Sequence, residues 1–351
     1  MSIRATIADL TGDVVIYRDL EACELRLPRL ATIRASLGHS DGPPPRKRDQ
    51  AYAEVMQALA DSAQQLRGGP TLTAFAVLGD TDNDRMLAAH LRIIGSRPAY
   101  GFIGEDRPVT DEAMTWQGDT ATATRWHLIH PWIAELEARG IDWARTALLI
   151  DIDKTLLGPR GRSDGAIDDA RAEGALVIAS QLVGETLDVS TFRRYYSELC
   201  RKEWHSYTLD NQDYVVATAL WATLGAIELE PMLDAILHGT APTISEILAL
   251  ATPRLPASLA SLQVELQARV AEGDPTPFKA FRRAELTATL DRMHDGRLTL
   301  CSDLFQVSQD LARRGALCMA ASDKPAESAL PSAEQAAAGM LSLHHTPALV
   351  M

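Results

Sequence analysis

Short unbroken apolar runs alternate along this chain with longer segments in which apolar residues recur every three or four positions. The runs predict strands at residues 72–78, 99–103, 146–150, 316–321 and 346–350. Unbroken apolar runs of this length are typical of parallel strands covered on both faces. The longer segments predict helices at residues 49–66, 123–139, 304–313 and 332–338, and another that begins near Arg85. Strands alternating with helices predict an α/β fold with a doubly wound parallel sheet.

One long region departs from this alternation. Between residues 160 and 298 the pattern is almost entirely helical, with predicted helices at 166–182, 190–205, 212–224 and 278–293. We therefore expect residues 1–159 and 299–351 to build an α/β core and residues 160–298 to form an all-α insertion. Residues 1–45 are predicted to be loop-rich and partly β, with no role that the sequence indicates.

Composition and charge limit the kinds of molecule that this chain is expected to bind. The 351 residues carry a net charge of -13, which disfavours non-specific binding to nucleic acid or to an anionic membrane. We find no apolar stretch of membrane-spanning length and no signal peptide. The 4 cysteines show no metal-binding spacing, so reduced thiols and a cytoplasmic location are expected. A small soluble molecule is the expected ligand.

The strongest candidate for chemistry follows the predicted strand 146–150. Asp151 and Asp153 come directly after it, with Thr155 two positions further on. If the backbone stays extended, both carboxylates lie on the same side and repel each other unless a cation or a proton lies between them. A solvated turn carrying two acids is the alternative, but an arrangement this costly favours a catalytic role.

A second acidic turn follows the predicted strand 72–78. Its sequence, GDTDND at residues 79–84, places acids at every second position, as in a calcium-binding EF-hand. That loop requires Gly at its sixth position and Glu at its twelfth, where this chain has Arg85 and Leu91. We therefore exclude the EF-hand. A hard cation that prefers oxygen ligands and retains water, such as Mg²⁺, suits this turn best.

These turns resemble motifs of the haloacid dehalogenase (HAD) superfamily of phosphohydrolases. Residues 151–156, with the sequence DIDKTL, resemble the first motif of the family. Residues 317–325 resemble its second motif, an apolar strand that ends in Ser or Thr. Residues 79–84 resemble its fourth motif. The resemblance implies that Asp151 attacks phosphorus and becomes an aspartyl phosphate, while Asp153 acts as acid and then as base. It implies phosphoryl binding by Ser322 and Thr155. The residues implied to hold Mg²⁺ are Asp80, Asp84, Asp151 and Asp153.

The third motif of the family supplies a lysine that neutralises the phosphate and the nucleophile. Lys47, just before the predicted helix 49–66, has the position that the resemblance requires. Lys324, near the second motif, is the competing candidate, and Arg46 or Arg48 could serve as well.

The order of the motifs differs from that of the family. Here the third and fourth motifs precede the first and second, which indicates a circularly permuted HAD-like core. Such a permutation costs little when the ends of the unpermuted chain lie close together. It requires the carboxylates of Asp80 and Asp84 to lie beside that of Asp151.

The helical insertion lies between the first and second motifs, where the resemblance implies a C1-type cap over the active site. Three basic residues on the predicted helix 190–205 are candidates for substrate contacts: Arg193, Arg194 and Arg201. The alternative is that they lie on a solvated helix face. His344 and His345 are predicted to lie in a loop.

The expected function is that of a Mg²⁺-dependent phosphomonoester hydrolase acting on a small phosphorylated metabolite. A phosphotransferase or phosphomutase would use the same residues. A non-catalytic protein that kept the fold to bind a phosphorylated ligand is the third possibility, although the presence of both Asp151 and Asp153 disfavours it. Asp153 also disfavours carbon–halogen chemistry, since true dehalogenases lack this second Asp.

Overall fold

The computed structural model describes residues 3–108, 110–240 and 242–351. It divides into two compact units. The first contains the chain up to Asp168 and from Thr289 onwards, and the second is Asp169–Ala288. The second unit lies within the expected insertion, residues 160–298, and is about ten residues shorter at each end. Two helices, Gly165–Val183 and Lys279–Asp295, cross the two boundaries.

The strands, in chain order, are β1 (Arg4–Ala5), β2 (Val15–Ile16), β3 (Ala74–Gly79), β4 (Ala99–Gly104), β5 (Met114–Gln117), β6 (Thr120–Ala123), β7 (Thr146–Ile150), β8 (Thr299–Leu300), β9 (Leu317–Ala321) and β10 (Ala348–Val350). Seven of them form one sheet in the order β2-β9-β7-β3-β4-β6-β5. Neighbouring strands are parallel except for β5 and β6, which form an antiparallel pair. The predicted α/β class and the largely parallel sheet are confirmed.

The helices of the first unit are α1 (Ala8–Thr11), α2 (Leu30–Leu37), α3 (Gln50–Leu66), α4 (Asp82–Gly95), α5 (Ile129–Ala138), α14 (Ser302–Arg313) and α15 (Ala333–Ala337). Helix α3 packs its apolar face, including Tyr52 and Met56, into a core shared with Phe75 of β3, Leu149 of β7 and Met319 of β9. The central strands β3, β7 and β9 are buried along their whole length. This burial explains why their sequences are unbroken apolar runs.

The elements of the second unit are helical. Its helices are α6 (Gly165–Val183), α7 (Val189–Leu199), α8 (His205–Thr208), α9 (Gln212–Thr223), α10 (Leu229–Leu237), α11 (Ile244–Ala251), α12 (Ala260–Ala271) and α13 (Lys279–Asp295). Large buried side chains from different helices, among them Phe192, Trp221 and Phe281, meet in one apolar core. Across residues 3–108, 110–240 and 242–351, every helix is too short or too polar to traverse a lipid bilayer.

Two predicted helices are shorter than expected. The predicted helix 123–139 begins only at Ile129, because residues 120–123 form β6 and pair with β4 and β5. The predicted helix 190–205 ends at Leu199, because Arg201 has an extended backbone (φ -72°, ψ 145°). Trp204 is buried after this break, and its indole N–H donates to Glu198 (3.0 Å). Strand pairing overrides the local helical pattern at residues 120–123.

Residues 1–45, for which the sequence indicated no role, contribute a strand to the main sheet of the core. β2 pairs in parallel with β9, Val15 opposite Ala320 and Ile16 opposite Ala321, and forms one edge of the main sheet. A strand of two residues is too short to produce a recognisable pattern. β10, by contrast, belongs to a separate sheet of three strands, β1-β10-β8.

Candidate active site

Three acidic or polar turns meet at one edge of the main sheet. Asp80 follows β3, Asp151 follows β7 and Ser322 follows β9, and these three strands are adjacent and parallel. The carboxyl ends of adjacent parallel strands lie side by side, and that edge is where ligands bind in such sheets. The backbone N–H of Asp151 donates to the carbonyl of Leu78 (2.9 Å), which extends the β7–β3 pairing to the first acid.

The carboxylates of Asp80, Asp84 and Asp151 form an acidic cluster. One oxygen from each lies within 4.8 Å of the others. The side chains of Asp80 and Asp84 are 3% and 2% exposed, and Asp151 is buried as well. Acids from two turns that are distant in the sequence are thus brought together, as the order of the motifs requires.

Gly79 allows Asp84 to take this position. A Cβ atom at residue 79 would lie 2.1 Å from Cγ of Asp84, so only glycine leaves room for the carboxylate. One oxygen of Asp84 caps helix α4 by accepting from the N–H and hydroxyl of Thr81 (3.1 and 2.8 Å). The N–H of Asp80 also approaches this oxygen (3.3 Å). The capping contacts fix Asp84 and leave its other oxygen directed at the cluster.

Lys47 is one of the two cations that contact this cluster. Its Nζ donates to Asp84 Oδ1 (2.7 Å) and to Asp151 Oδ1 (2.6 Å), and its side chain is 3% exposed. Burial lowers the pKa of Lys47, but the neighbouring Asp151 and Asp84 outweigh burial and raise it well above the usual value. The two carboxylates therefore favour the charged form of Lys47, whose contact with Oδ1 holds the Asp151 side chain in place.

Burial also raises the pKa of the Asp151 carboxyl well above its ordinary range, with Lys47 opposing this effect and Asp84 and Asp80 adding to it. The pKa of Asp80 is likewise raised by burial, against the lowering effect of Arg160. Three buried carboxylates and two cations leave one net negative charge in the cluster when all five groups are ionised. An additional cation would relieve the repulsion among the acids.

Arg160 is the site residue that the sequence analysis missed. Its guanidinium contacts Asp80 Oδ2 through both Nε (2.7 Å) and Nη2, while Thr155 donates to Asp80 Oδ1 (3.2 Å). The carbonyl of Arg160 accepts from the indole of Trp126 and from the N–H of Asp106, both at 3.0 Å. These contacts join segments that are distant in the sequence, so no local pattern marks Arg160 as part of the site.

The backbone does not stay extended beyond Asp151, which was the condition for placing the carboxylates of Asp151 and Asp153 on the same side. The chain turns directly after β7: the N–H of Leu157 donates to the carbonyl of Ile152 (2.9 Å), and Lys154 adopts a positive φ of 62°. Asp153 therefore lies outside the cluster of three carboxylates, and its Oδ2 accepts from Lys324 (3.1 Å). The two competing lysines thus have different partners, Lys47 with Asp151 and Lys324 with Asp153.

Ser322 is buried at the end of β9. Its N–H donates to the carbonyl of Ile16 in β2 (2.9 Å), and its hydroxyl oxygen accepts from the N–H of Lys324 (3.2 Å). Its backbone position is therefore fixed by the strand that residues 1–45 contribute.

The candidate cap residues belong to the second unit. Arg193 and Arg194 are exposed on α7, and the guanidinium of Arg194 lies 4.9 Å from the ring of Tyr195. Arg201 pairs with Glu198 (3.0 Å) and Glu203 (2.8 Å). A role of these arginines in substrate binding stays a prediction.

Comparisons with protein-family models, with curated proteins and with solved structures gave no match. The case for a function therefore rests on the residues and geometry of the acidic cluster itself.

Proposed function

We propose that this chain is a Mg²⁺-dependent phosphomonoester hydrolase of the HAD type, circularly permuted, that acts on a small phosphorylated metabolite. The observation that carries the proposal is the convergence of Asp80, Asp84 and Asp151, with Lys47 bound to two of them, at the carboxyl edge of a parallel sheet. A surface turn with two acids, the alternative for residues 151–153, would not bury Asp151 against a lysine from a distant segment.

The donor set suits Mg²⁺. Three carboxylates supply hard oxygen ligands, and their separation of at most 4.8 Å is close to the roughly 4.2 Å that spans an octahedral magnesium shell. In such a site Asp80, Asp84 and Asp151 would hold the ion, and water or the phosphate would complete its shell. When bound, Mg²⁺ would neutralise phosphoryl oxygens and so permit an anionic nucleophile to approach phosphorus.

The residues of the chain carry out the proposed reaction. A carboxylate oxygen of Asp151 attacks phosphorus, the bond from phosphorus to the ester oxygen breaks, and Asp153 gives a proton to the departing alcohol. Water then attacks the aspartyl phosphate, Asp153 takes its proton, and inorganic phosphate leaves with Asp151 restored. Lys47 orients Asp151 throughout, Lys324 orients Asp153, and Ser322 and Thr155 are the proposed hydroxyl contacts of the phosphoryl group.

Two features support a permuted order of the motifs. The proposed first, second and fourth motifs end adjacent strands, so their spatial order does not depend on their order along the chain. β1 and β10, from opposite ends of the described chain, pair with Arg4 opposite Leu349. Segments this close allow a chain to be permuted without a change in the sheet.

The proposal predicts metal-dependent hydrolysis. We expect the purified protein to release phosphate from an aryl phosphate and from members of a panel of phosphorylated metabolites when Mg²⁺ is present, and to release almost none after chelation. Transfer to an added alcohol in place of water would identify a phosphotransferase. A panel on which no substrate is turned over, with ligand binding intact, would instead favour the non-catalytic binding protein.

Arg160 should weaken the binding of the metal ion. Its charge lies against Asp80, so Arg160→Met removes a competing cation and should lower the dissociation constant of Mg²⁺ by roughly fivefold, corresponding to about 1 kcal/mol. Calorimetric titration of the substrate-free protein measures this constant.

The matched control is Arg107→Met, which removes an exposed guanidinium paired with Glu105 and should leave the Mg²⁺ constant unchanged. An unchanged or higher constant in Arg160→Met would show that Arg160 and the ion do not compete for Asp80.

A further inference from the structure

A second group of metal-ligating side chains lies apart from the acidic cluster. It consists of Asp13, in the turn between α1 and β2, and of His344 and His345, in a 3₁₀ turn of residues 343–345 rather than in an irregular loop. One potential ligand atom from each of the three lies within 4.8 Å of the others. The group shares no residue with the acidic cluster.

The distances within this group suit a tetrahedral ion. Asp13 Oδ1 lies 3.0 Å from Nε2 of His345 and 3.4 Å from Nε2 of His344. Zinc bonds of about 2.0–2.1 Å to imidazole and carboxylate place tetrahedral ligand atoms about 3.3 Å apart. Both histidines present the same ring nitrogen to one carboxylate oxygen, and these two distances are close to the edge of such a tetrahedron.

Hydroxyl groups orient both rings from behind. The hydroxyl of Tyr17 lies 3.2 Å from Nδ1 of His344, and that of Ser342 lies 3.1 Å from Nδ1 of His345. A hydroxyl that accepts from Nδ1–H leaves the lone pair on Nε2 free for a metal ion, which is the usual arrangement around ligating histidines. Tyr17 is itself fully buried, so this support is part of the core.

The solvent exposure of Asp13 and His345 leaves room for a fourth ligand of the metal ion. The side chain of His344 is 3% exposed, whereas those of Asp13 and His345 are 47% and 48% exposed. One ligand is therefore anchored in the core, and the other two face solvent, from which water can supply a fourth ligand.

We propose that Asp13, His344 and His345 form a binding site for a divalent transition-metal ion of the zinc class. Two imidazoles and one carboxylate select such ions over Mg²⁺, which prefers oxygen ligands alone. The bound ion would join the turn before β2 to the turn before β10 and thereby stabilise the edge of the main sheet. This inference does not depend on the proposed hydrolase activity.

Cobalt provides the test, because tetrahedral Co²⁺ with nitrogen ligands absorbs visible light much more strongly than octahedral Co²⁺. The full-length protein, treated with chelator and dialysed, is titrated with Co²⁺ in excess Mg²⁺, which occupies oxygen-only sites. We expect one equivalent of tetrahedral Co²⁺, displaced by Zn²⁺, and a higher thermal unfolding midpoint with Zn²⁺ than without it.

The variants His345→Ala and Asp13→Asn each remove a half-exposed ligand, so both should fold, as circular dichroism can verify. Each should weaken Co²⁺ binding by more than about tenfold and abolish the Zn²⁺-dependent shift of the unfolding midpoint. His127→Ala, which removes an exposed histidine paired with Glu112, should bind Co²⁺ as the parent does. Absence of the tetrahedral band, or its persistence in both ligand variants, would overturn the proposal and leave an ordinary ion pair.

Discussion

Replacing Asp151 by Asn is expected to lower kcat for phosphate ester hydrolysis by at least about 10⁴-fold, because the substitution removes the nucleophile of the proposed mechanism. The amide keeps the shape of the carboxylate, and its oxygen can still accept from Lys47, now 2.6 Å from Asp151 Oδ1. The backbone N–H of residue 151 keeps its bond to Leu78. Phosphate release with saturating Mg²⁺ is the measurement, and unfolding curves establish that the variant is folded.

Asp82→Asn is the matched control for this loss of activity. Asp82 lies in the same turn as Asp80 and Asp84, but its side chain is 90% exposed and pairs with Arg85. The control removes one acid from the same region of the protein and should leave kcat within about twofold of the parent, as expected for a surface change. Hydrolysis by Asp151→Asn at a rate similar to that of Asp82→Asn would exclude Asp151 as the nucleophile.

The largest effect on stability is expected in the second unit. Arg282 lies between Asp213 and Glu285, with Nε 2.7 Å from Asp213 Oδ2 and Nη1 2.9 Å from Glu285 Oε2, and these three side chains are at most 4% exposed. Burial lowers the pKa of Arg282, but the two carboxylates outweigh burial and raise it. Arg282→Met should reduce the free energy of unfolding by about 3–5 kcal/mol, since it leaves the buried carboxylate of Asp213 without its cation, whereas Glu285 keeps its contact with Arg171 (3.1 Å).

Arg283→Met is the control, because Arg283 is the exposed neighbour on the same helix, α13. We expect it to change the free energy of unfolding by less than about 0.5 kcal/mol in urea denaturation. Adding Asp213→Asn to Arg282→Met should recover part of the loss, since the uncompensated charge is then smaller. If Asp213→Asn instead lowers the free energy of unfolding further, packing around Arg282, and not its charge, accounts for the contribution of Arg282 to stability.

The sequence was most informative where burial is complete. β3, β7 and β9, whose residues are all buried, were predicted, because a parallel strand covered on both faces must be apolar along its whole length. The predictions were weaker where an element is short or held by distant contacts, as in β2 and the β5–β6 pair. The predicted helix at residues 190–205 was too long because nothing local marks the break at Arg201.

The sequence by itself determined that two acidic turns follow buried parallel strands, and the rule that such strands end at one edge placed both turns in one site. Only the tertiary structure decided which cation neutralises which acid: Lys47 contacts Asp151, Lys324 contacts Asp153 and Arg160 contacts Asp80. Local periodicity reports which face of an element is buried, but it holds no information about which distant side chains meet there. Such contacts depend on how the chain returns to the same edge of the sheet.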